Sequence, residues 1–287
     1  MYINDADQYS EIYKEAHTFK GILMKYLRNL SPSVFLCAAL SGCASTTAST
    51  AKAPETAYPD AQQFSAETSK DIYSYAVKIE VLSTIKKDDS SELEEMEIKS
   101  FAGTGMLLTE KYVLTVAHIL PPQMTRHENL VVANTVIAGD HQAKVIKVDH
   151  EKELALLQAE DCPEDRCFDH YFAGKIAAAT DIGEVTATVG YPHEEKILFK
   201  GLVSGKMVYD HHTYTLIDNG INNGFTTLGS SGSPVFVFQD EKPLLGALVI
   251  GVYVDGQLKN VRAVLATPIE ELREFLAGVK GLEQRLD

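Results

Sequence analysis

Beyond about residue 100 the chain breaks into many short runs rich in apolar and β-branched residues. Runs of this length and composition mark strands rather than long helices. The pattern predicts strands over 101–108, 112–116, 130–137, 144–148, 154–158 and 185–190, then 203–209, 213–217, 235–238, 245–254 and 261–266. Gly, Asn, Asp or Pro clusters separate most of them, the rhythm of a sandwich or barrel. No long amphipathic helices alternate with the strands, which argues against a parallel α/β sheet. The charged run 86–97 reads as a solvated hairpin loop. At the end the period changes to helical: Ile269, Leu272, Phe275, Leu276 and Val279 form one apolar stripe. Thr267 and Glu270 make a Thr-x-x-Glu capping box with Pro268 at the first helical position, so a helix over 268–280 is expected to pack on the barrel.

The first 70 residues follow other rules. Lys25 and Arg28 precede the mostly apolar stretch 30–40, and Leu40-Ser41-Gly42-Cys43 follows. Basic, short apolar, then small residues is the order of a secretory signal peptide, too short for a stable membrane span. The plainer alternative is a core helix beside a buried cysteine. The four residues 40–43 resemble the lipobox of bacterial lipoproteins, which implies that Cys43 is acylated and becomes the mature N-terminus. Met24 stands where such a signal begins, so 1–23 read as an upstream mis-assigned start or an extension. Residues 44–70 turn to Ala, Ser, Thr, Pro and Gln and cannot bury enough surface to fold. As a flexible tether they would reach about 25–30 Å. The expected organisation is therefore a signal over 1–43, a tether over 44–70 and a folded domain over 71–287.

Composition then removes several classes. The 287 residues are 45% hydrophobic and 23% charged, near the averages of soluble globular chains. Lys plus Arg number 26 against 40 Asp plus Glu, a net charge of −14 with no basic cluster, which argues against a nucleic-acid partner. Export would place Cys162 and Cys167 in an oxidising compartment, where Cys-Pro-Glu-Asp-Arg-Cys can close as a disulfide. A metal there would need two further ligands, and the nearby sequence offers His170 alone. His193 and His211-His212 have no partner at a metal-ligand spacing and read as exposed hairpin histidines. No metal or cofactor is expected.

Three segments carry candidate chemistry: Gly103-Thr104-Gly105-Met106-Leu107-Leu108 followed after a short turn by Val113-Leu114-Thr115-Val116-Ala117-His118, the stretch 143–157 containing Asp149 and Glu153, and Leu228-Gly229-Ser230-Ser231-Gly232-Ser233-Pro234. A serine hydroxyl needs a base to take its proton as it attacks, and imidazole suits that task. The imidazole in turn needs a carboxylate to fix its tautomer and stabilise its cation. Two main-chain N–H groups, from Gly229 and Ser231, could hold the oxygen that gains charge during acyl transfer.

Together these segments resemble trypsin-like serine proteases, and among them the bacterial high-temperature-requirement (HtrA) type. Thr115 to His118 matches Thr-x-Ala-His, and Gly229 to Pro234 matches Gly-x-Ser-Gly-[Gly/Ser]-Pro. The segment ending Glu153-Leu-Ala-Leu-Leu, then Gly190-Tyr191-Pro192, 201–205, 245–247 and 263–268, follow in the family's order. The resemblance spans about 100–270. It implies an all-β fold of two six-stranded antiparallel barrels with the site between them, and a serine endopeptidase working through an acyl-enzyme on polypeptide substrates. Ser231 would attack, His118 shuttle the proton and Glu153 orient it, without a cofactor.

The chain departs from the family in four places. Glu153 stands where the family has aspartate, and Asp149 is an alternative acid. Ser230 replaces the aspartate that pairs with trypsin's freed N-terminus, so that activation route is closed. Phe225, six residues before the nucleophile, is apolar, as are Ala247 and Leu248, which points to a small-to-medium apolar residue before the cut bond. The chain ends without room for the peptide-binding PDZ module of HtrA enzymes, which puts their oligomeric caging in doubt. Ala44 after the acylated cysteine implies, by the same resemblance, an outer-membrane anchor facing the periplasm in a Gram-negative cell. A catalytically impaired binding lipoprotein is the main alternative, and a purely structural envelope lipoprotein a third.

Overall fold

The computed structural model describes residues 65–87, 96–127, 130–163, 166–209, 211–218, 229–254, 261–279 and 281–286. The signal, Cys43, most of the tether and Phe225 lie outside them. The first described element is helix α1, Ala66–Ser74, whose N-cap Ser65 accepts from the Thr68 N–H at 3.0 Å. The expected tether to residue 70 is corrected here, because Ser65 starts a helix at residue 66 that buries Ile72.

Seven strands follow: β1 Ala76–Lys87, β2 Met96–Leu107, β3 Tyr112–Thr115, β4 Met124–His127, β5 Leu130–Ala138, β6 His141–Asp149 and β7 Leu154–Ala159. They run in the order β1-β2-β3-β7-β6-β5, and β5 pairs back onto β1, with Val81 opposite Val136. That closes a six-stranded antiparallel ring with β4 added outside on β5. The second half holds β8 Val185–Gly190, β9 Ile197–Tyr209, β10 His212–Asp218, β11 Pro234–Gln239, β12 Lys242–Val254 and β13 Val261–Ala266. These close a second barrel in the order β10-β13-β12-β11-β8-β9.

Some strands alternate and others, such as β7 and β8, are buried at consecutive positions. On β1 the buried Val77, Ile79 and Val81 point inward, while Lys78 and Glu80 between them are partly exposed. One apolar core runs from Leu114, Leu156 and Leu157 of the first barrel to Phe236, Leu245 and Val264 of the second. At the junction Tyr75, Phe172 and Phe236 meet edge-on, with centroids 5.5 Å and 5.2 Å apart.

Helix α2, Ile269–Leu276, buries Ile269, Leu272, Phe275 and Leu276. It touches both barrels. Lys147 of the first donates to the Phe275 carbonyl, Lys152 pairs with Glu274 at 2.9 Å, and Lys206 of the second pairs with Glu270 at 3.5 Å. The last helix, α3 Glu283–Leu286, carries Arg285, which donates to the Phe172 carbonyl of the inter-barrel connection at 2.6 Å. The expected capping box does not form. Pro268 is the N-cap, and the Thr267 N–H donates to the Leu248 carbonyl, which keeps Thr267 in the sheet with its side chain inward. The helix accordingly covers Ile269–Leu276 rather than 268–280. Among the described residues no helix is long and apolar enough to cross a membrane.

Candidate active site

His118 sits in a short 3₁₀ turn, Ala117–Ile119, that leaves β3. Glu153 ends the turn between β6 and β7, and the Ala117 N–H donates to its carbonyl at 3.3 Å. Glu153 occupies the left-handed region at φ +54°. From there one carboxylate oxygen, Oε2, lies 3.0 Å from His118 Nδ1 and accepts the His118 backbone N–H at 3.1 Å. The longer side chain thus reaches both the ring and the main chain of the same histidine. Left-handed backbone at a non-glycine costs on the order of 1–3 kcal/mol and persists where neighbouring contacts hold it. Burial pushes the Glu153 carboxyl up, but the hydrogen bonds and charge of His118, with His150 adding to them, outweigh it and hold the carboxyl below its ordinary value.

Asp149 faces elsewhere. Its Oδ1 accepts the backbone N–H groups of Glu151 and Lys152 at 3.1 Å and 3.0 Å, the role of a turn former. Between the two candidate acids, Glu153 is the one against the imidazole.

Thr104 of β2 brings the third segment to the first barrel. Its backbone N–H donates to the Ser231 carbonyl at 2.8 Å, and its hydroxyl donates to the Gly229 carbonyl at 2.7 Å. Thr115, three residues before His118, donates its hydroxyl to the Thr104 carbonyl at 2.7 Å. The approach is close: a Cβ on Gly103 would stand 2.8 Å from the Ser231 carbonyl and 3.0 Å from the Ile119 side chain. The strand pair that carries His118 therefore also grips the residue expected to attack.

Two glycines allow this. Gly229 has φ +99°, and a side chain there would strike the Phe101 ring at 2.2 Å and the Tyr191 carbonyl at 2.3 Å. Gly232 has φ +85°, and a Cβ would meet the Thr104 carbonyl at 1.9 Å. Among the described residues the N–H groups of Gly229 and Ser231 donate to nothing, which leaves two donors for an oxygen in the cleft. The Ser231 hydroxyl has no hydrogen bond to His118. Such bonds often tighten only when substrate is present.

Ala247 and Leu248 are fully buried opposite Val235 and Pro234, so neither presents surface to the cleft. Further along β12, Ile250 and Gly251 are partly exposed. Ser230 is buried beside the nucleophile position. Cys162 and Cys167 are joined as a disulfide with Cα atoms 4.7 Å apart. The fold brings His141, not His170, within 4.8 Å of both sulfurs. His193 and His211 are exposed at positive φ, in separate turns, and His212 opens β10.

The cleft and the double barrel define a class, and the chain belongs to it: the trypsin-like peptidase domain family matches residues 103–246. That family is one of peptidase domains. A serine protease DegP homolog of Plasmodium falciparum is 26% identical over 147 residues, which are 48% of this chain. The match spans only 16% of that relative's length. An HtrA-type protease, AlgW, solved with a decapeptide, superposes with a TM-score of 0.52 at 15% identity, covering 73% of this chain and 66% of its own. That likeness is one of fold.

Proposed function

We propose that the protein is a serine endopeptidase in which Ser231 attacks the scissile carbonyl, His118 takes and returns the proton, and Glu153 orients the imidazole. The Gly229 and Ser231 N–H groups would hold the oxyanion, and an acyl-enzyme on Ser231 would be released by water. The observation that carries the reading is the Glu153 carboxylate 3.0 Å from His118 Nδ1, beside a loop whose Ser231 carbonyl is held by Thr104 of β2, the strand paired with the one that leads into that histidine. The lipobox-like 40–43 supports a lipid-anchored enzyme of the cell envelope that acts on polypeptides. The apolar Phe225 supports a preference for a small-to-medium apolar residue before the cut bond.

A fluorophosphonate probe tests the chemistry on the oxidised protein. Labelling should vanish in Ser231→Ala, nearly vanish in His118→Ala, and slow by about 10²–10⁴-fold in Glu153→Ala. Asp149→Ala should label like wild type once folded. Wild-type protein that takes no label would favour a binding lipoprotein of the same fold, the reading to which the absent Ser231–His118 hydrogen bond lends support. Cleavage profiling dominated by basic or acidic residues would reject the apolar preference. Palmitate incorporation that survives Cys43→Ala would reject the anchor.

A further inference from the structure

The turn that follows β8, Tyr191 to Lys196, touches the candidate oxyanion loop at Gly229. The Tyr191 N–H donates to the Thr104 hydroxyl at 3.0 Å, and the same hydroxyl donates to the Gly229 carbonyl. The Tyr191 carbonyl and the Phe101 ring wall in the Gly229 α-carbon. This turn is strained: His193 and Glu194 have φ of +50° and +70° in succession. Strain of that kind survives only where outside contacts over-determine it.

Those contacts come from the N-terminal helix and the strand after it. The Tyr73 hydroxyl of α1 donates to the Lys196 carbonyl at 2.9 Å. Lys196 Nζ donates to the Ala76 carbonyl at 2.7 Å and lies over the Tyr73 and Tyr191 rings, 4.8 Å and 5.6 Å from their centroids. Lys78 of β1 pins the same turn through Glu194 at 2.7 Å and also pairs with Glu80 at 3.1 Å. Lysine heads ordinarily stay in water, and that of Lys196 is partly buried beside two aromatic rings.

We propose that Lys196 is a positioning residue for the oxyanion loop, tying helix α1 to the Tyr191 turn and, through Thr104, fixing the main chain at Gly229 and Ser231. The inference deepens the protease reading and rests on it for its kinetic consequence. Burial lowers the Lys196 pKa to about 8, so the cation that engages both rings is lost on the alkaline side. The titratable groups facing it are Tyr73 from α1 and Tyr191 from the turn, while Glu194 of the turn is paired with Lys78 of β1. Burial raises the Tyr191 hydroxyl, which therefore stays neutral while Lys196 titrates.

The test compares Lys196→Met, Lys196→Arg and Tyr73→Phe in the full chain, each checked for an unchanged thermal transition. The fluorophosphonate labelling rate of Lys196→Met should fall about 10–100-fold. Lys196→Arg, which keeps the cation, should stay within about threefold of wild type. Tyr73→Phe, which loses the hydroxyl and keeps the ring, should fall between. Wild-type labelling should decline above pH about 8. That decline should move upward in Lys196→Arg and disappear in Lys196→Met, changes that a merely structural side chain would not produce. Amide exchange over 229–233 supplies a readout independent of chemistry: it should quicken at least about threefold in Lys196→Met. If the wild type takes no label, the protease reading falls and exchange alone decides the positioning role. Exchange unchanged in Lys196→Met overturns the inference, as does wild-type-like labelling with an unaltered pH profile.

Discussion

At the scale of single residues, glutamate at 153 reaches the imidazole from a left-handed backbone that the surrounding turn imposes. Restoring the family's aspartate would shorten the side chain by one methylene without moving that backbone. Glu153→Asp should therefore slow fluorophosphonate labelling by on the order of a hundredfold, since misplacement near 1 Å has that cost. A variant as fast as wild type would show that the turn adjusts freely. The carboxyl is depressed in the fold, so its pairing contributes stability above the ordinary carboxylate pKa and loses it as pH falls through the lower folded value. Glu153→Gln should flatten the acid side of stability measured by urea unfolding between pH 3 and 6. The candidate residues were legible from residue type and order, because a nucleophile, a base and glycines at fixed offsets leave few readings. The roles of Thr104, though it lies in a singled-out segment, and of Lys196 were not: neither residue type announces a role, and their partners lie far away in sequence.

At the scale of elements, most strands were legible as short apolar and β-branched runs bounded by turn residues, and the 185–190 and 261–266 bounds coincide with β8 and β13, although β3, β7, β8 and β11 are buried at consecutive positions rather than alternating. Helix α1 was missed because it buries only Ile72, so no stripe distinguishes it from the polar stretch before it. Strand β1 has a legible alternation, Val77, Ile79 and Val81 against Lys78 and Glu80, but it lies between that stretch and the charged run. Strand β4 is a four-residue edge with exposed Met124 and Thr125 and no apolar alternation to reveal it. The Thr267 cap failed for a physical reason: the sheet ladder holds the residue before the helix can use it. Its hydroxyl is buried and, among the described residues, without a partner. Thr267→Val should then be neutral or stabilising in urea unfolding, whereas a capping threonine would lose about 1 kcal/mol on such a change.

At the scale of the whole molecule, two rings share one core, and the connection between them is fastened by Arg285 and by Arg273, which donates to the Ile176 and Ala177 carbonyls at 3.2 Å and 3.1 Å. The Cys162–Cys167 link lies on that connection and closes a short loop. Replacing both cysteines with alanine should cost about 2 kcal/mol in chemical unfolding, as chain entropy gives for a loop this small. A loss near 5 kcal/mol would mean that the bridge organises far more than its own loop. Thr104 belongs to the first ring, yet the carbonyls it secures, at 229 and 231, belong to the second. A nascent chain that had finished only its leading half would own an imidazole and a carboxylate but nothing to cradle a developing negative oxygen. On the proposed reading, hydrolytic power would be withheld until both halves have met.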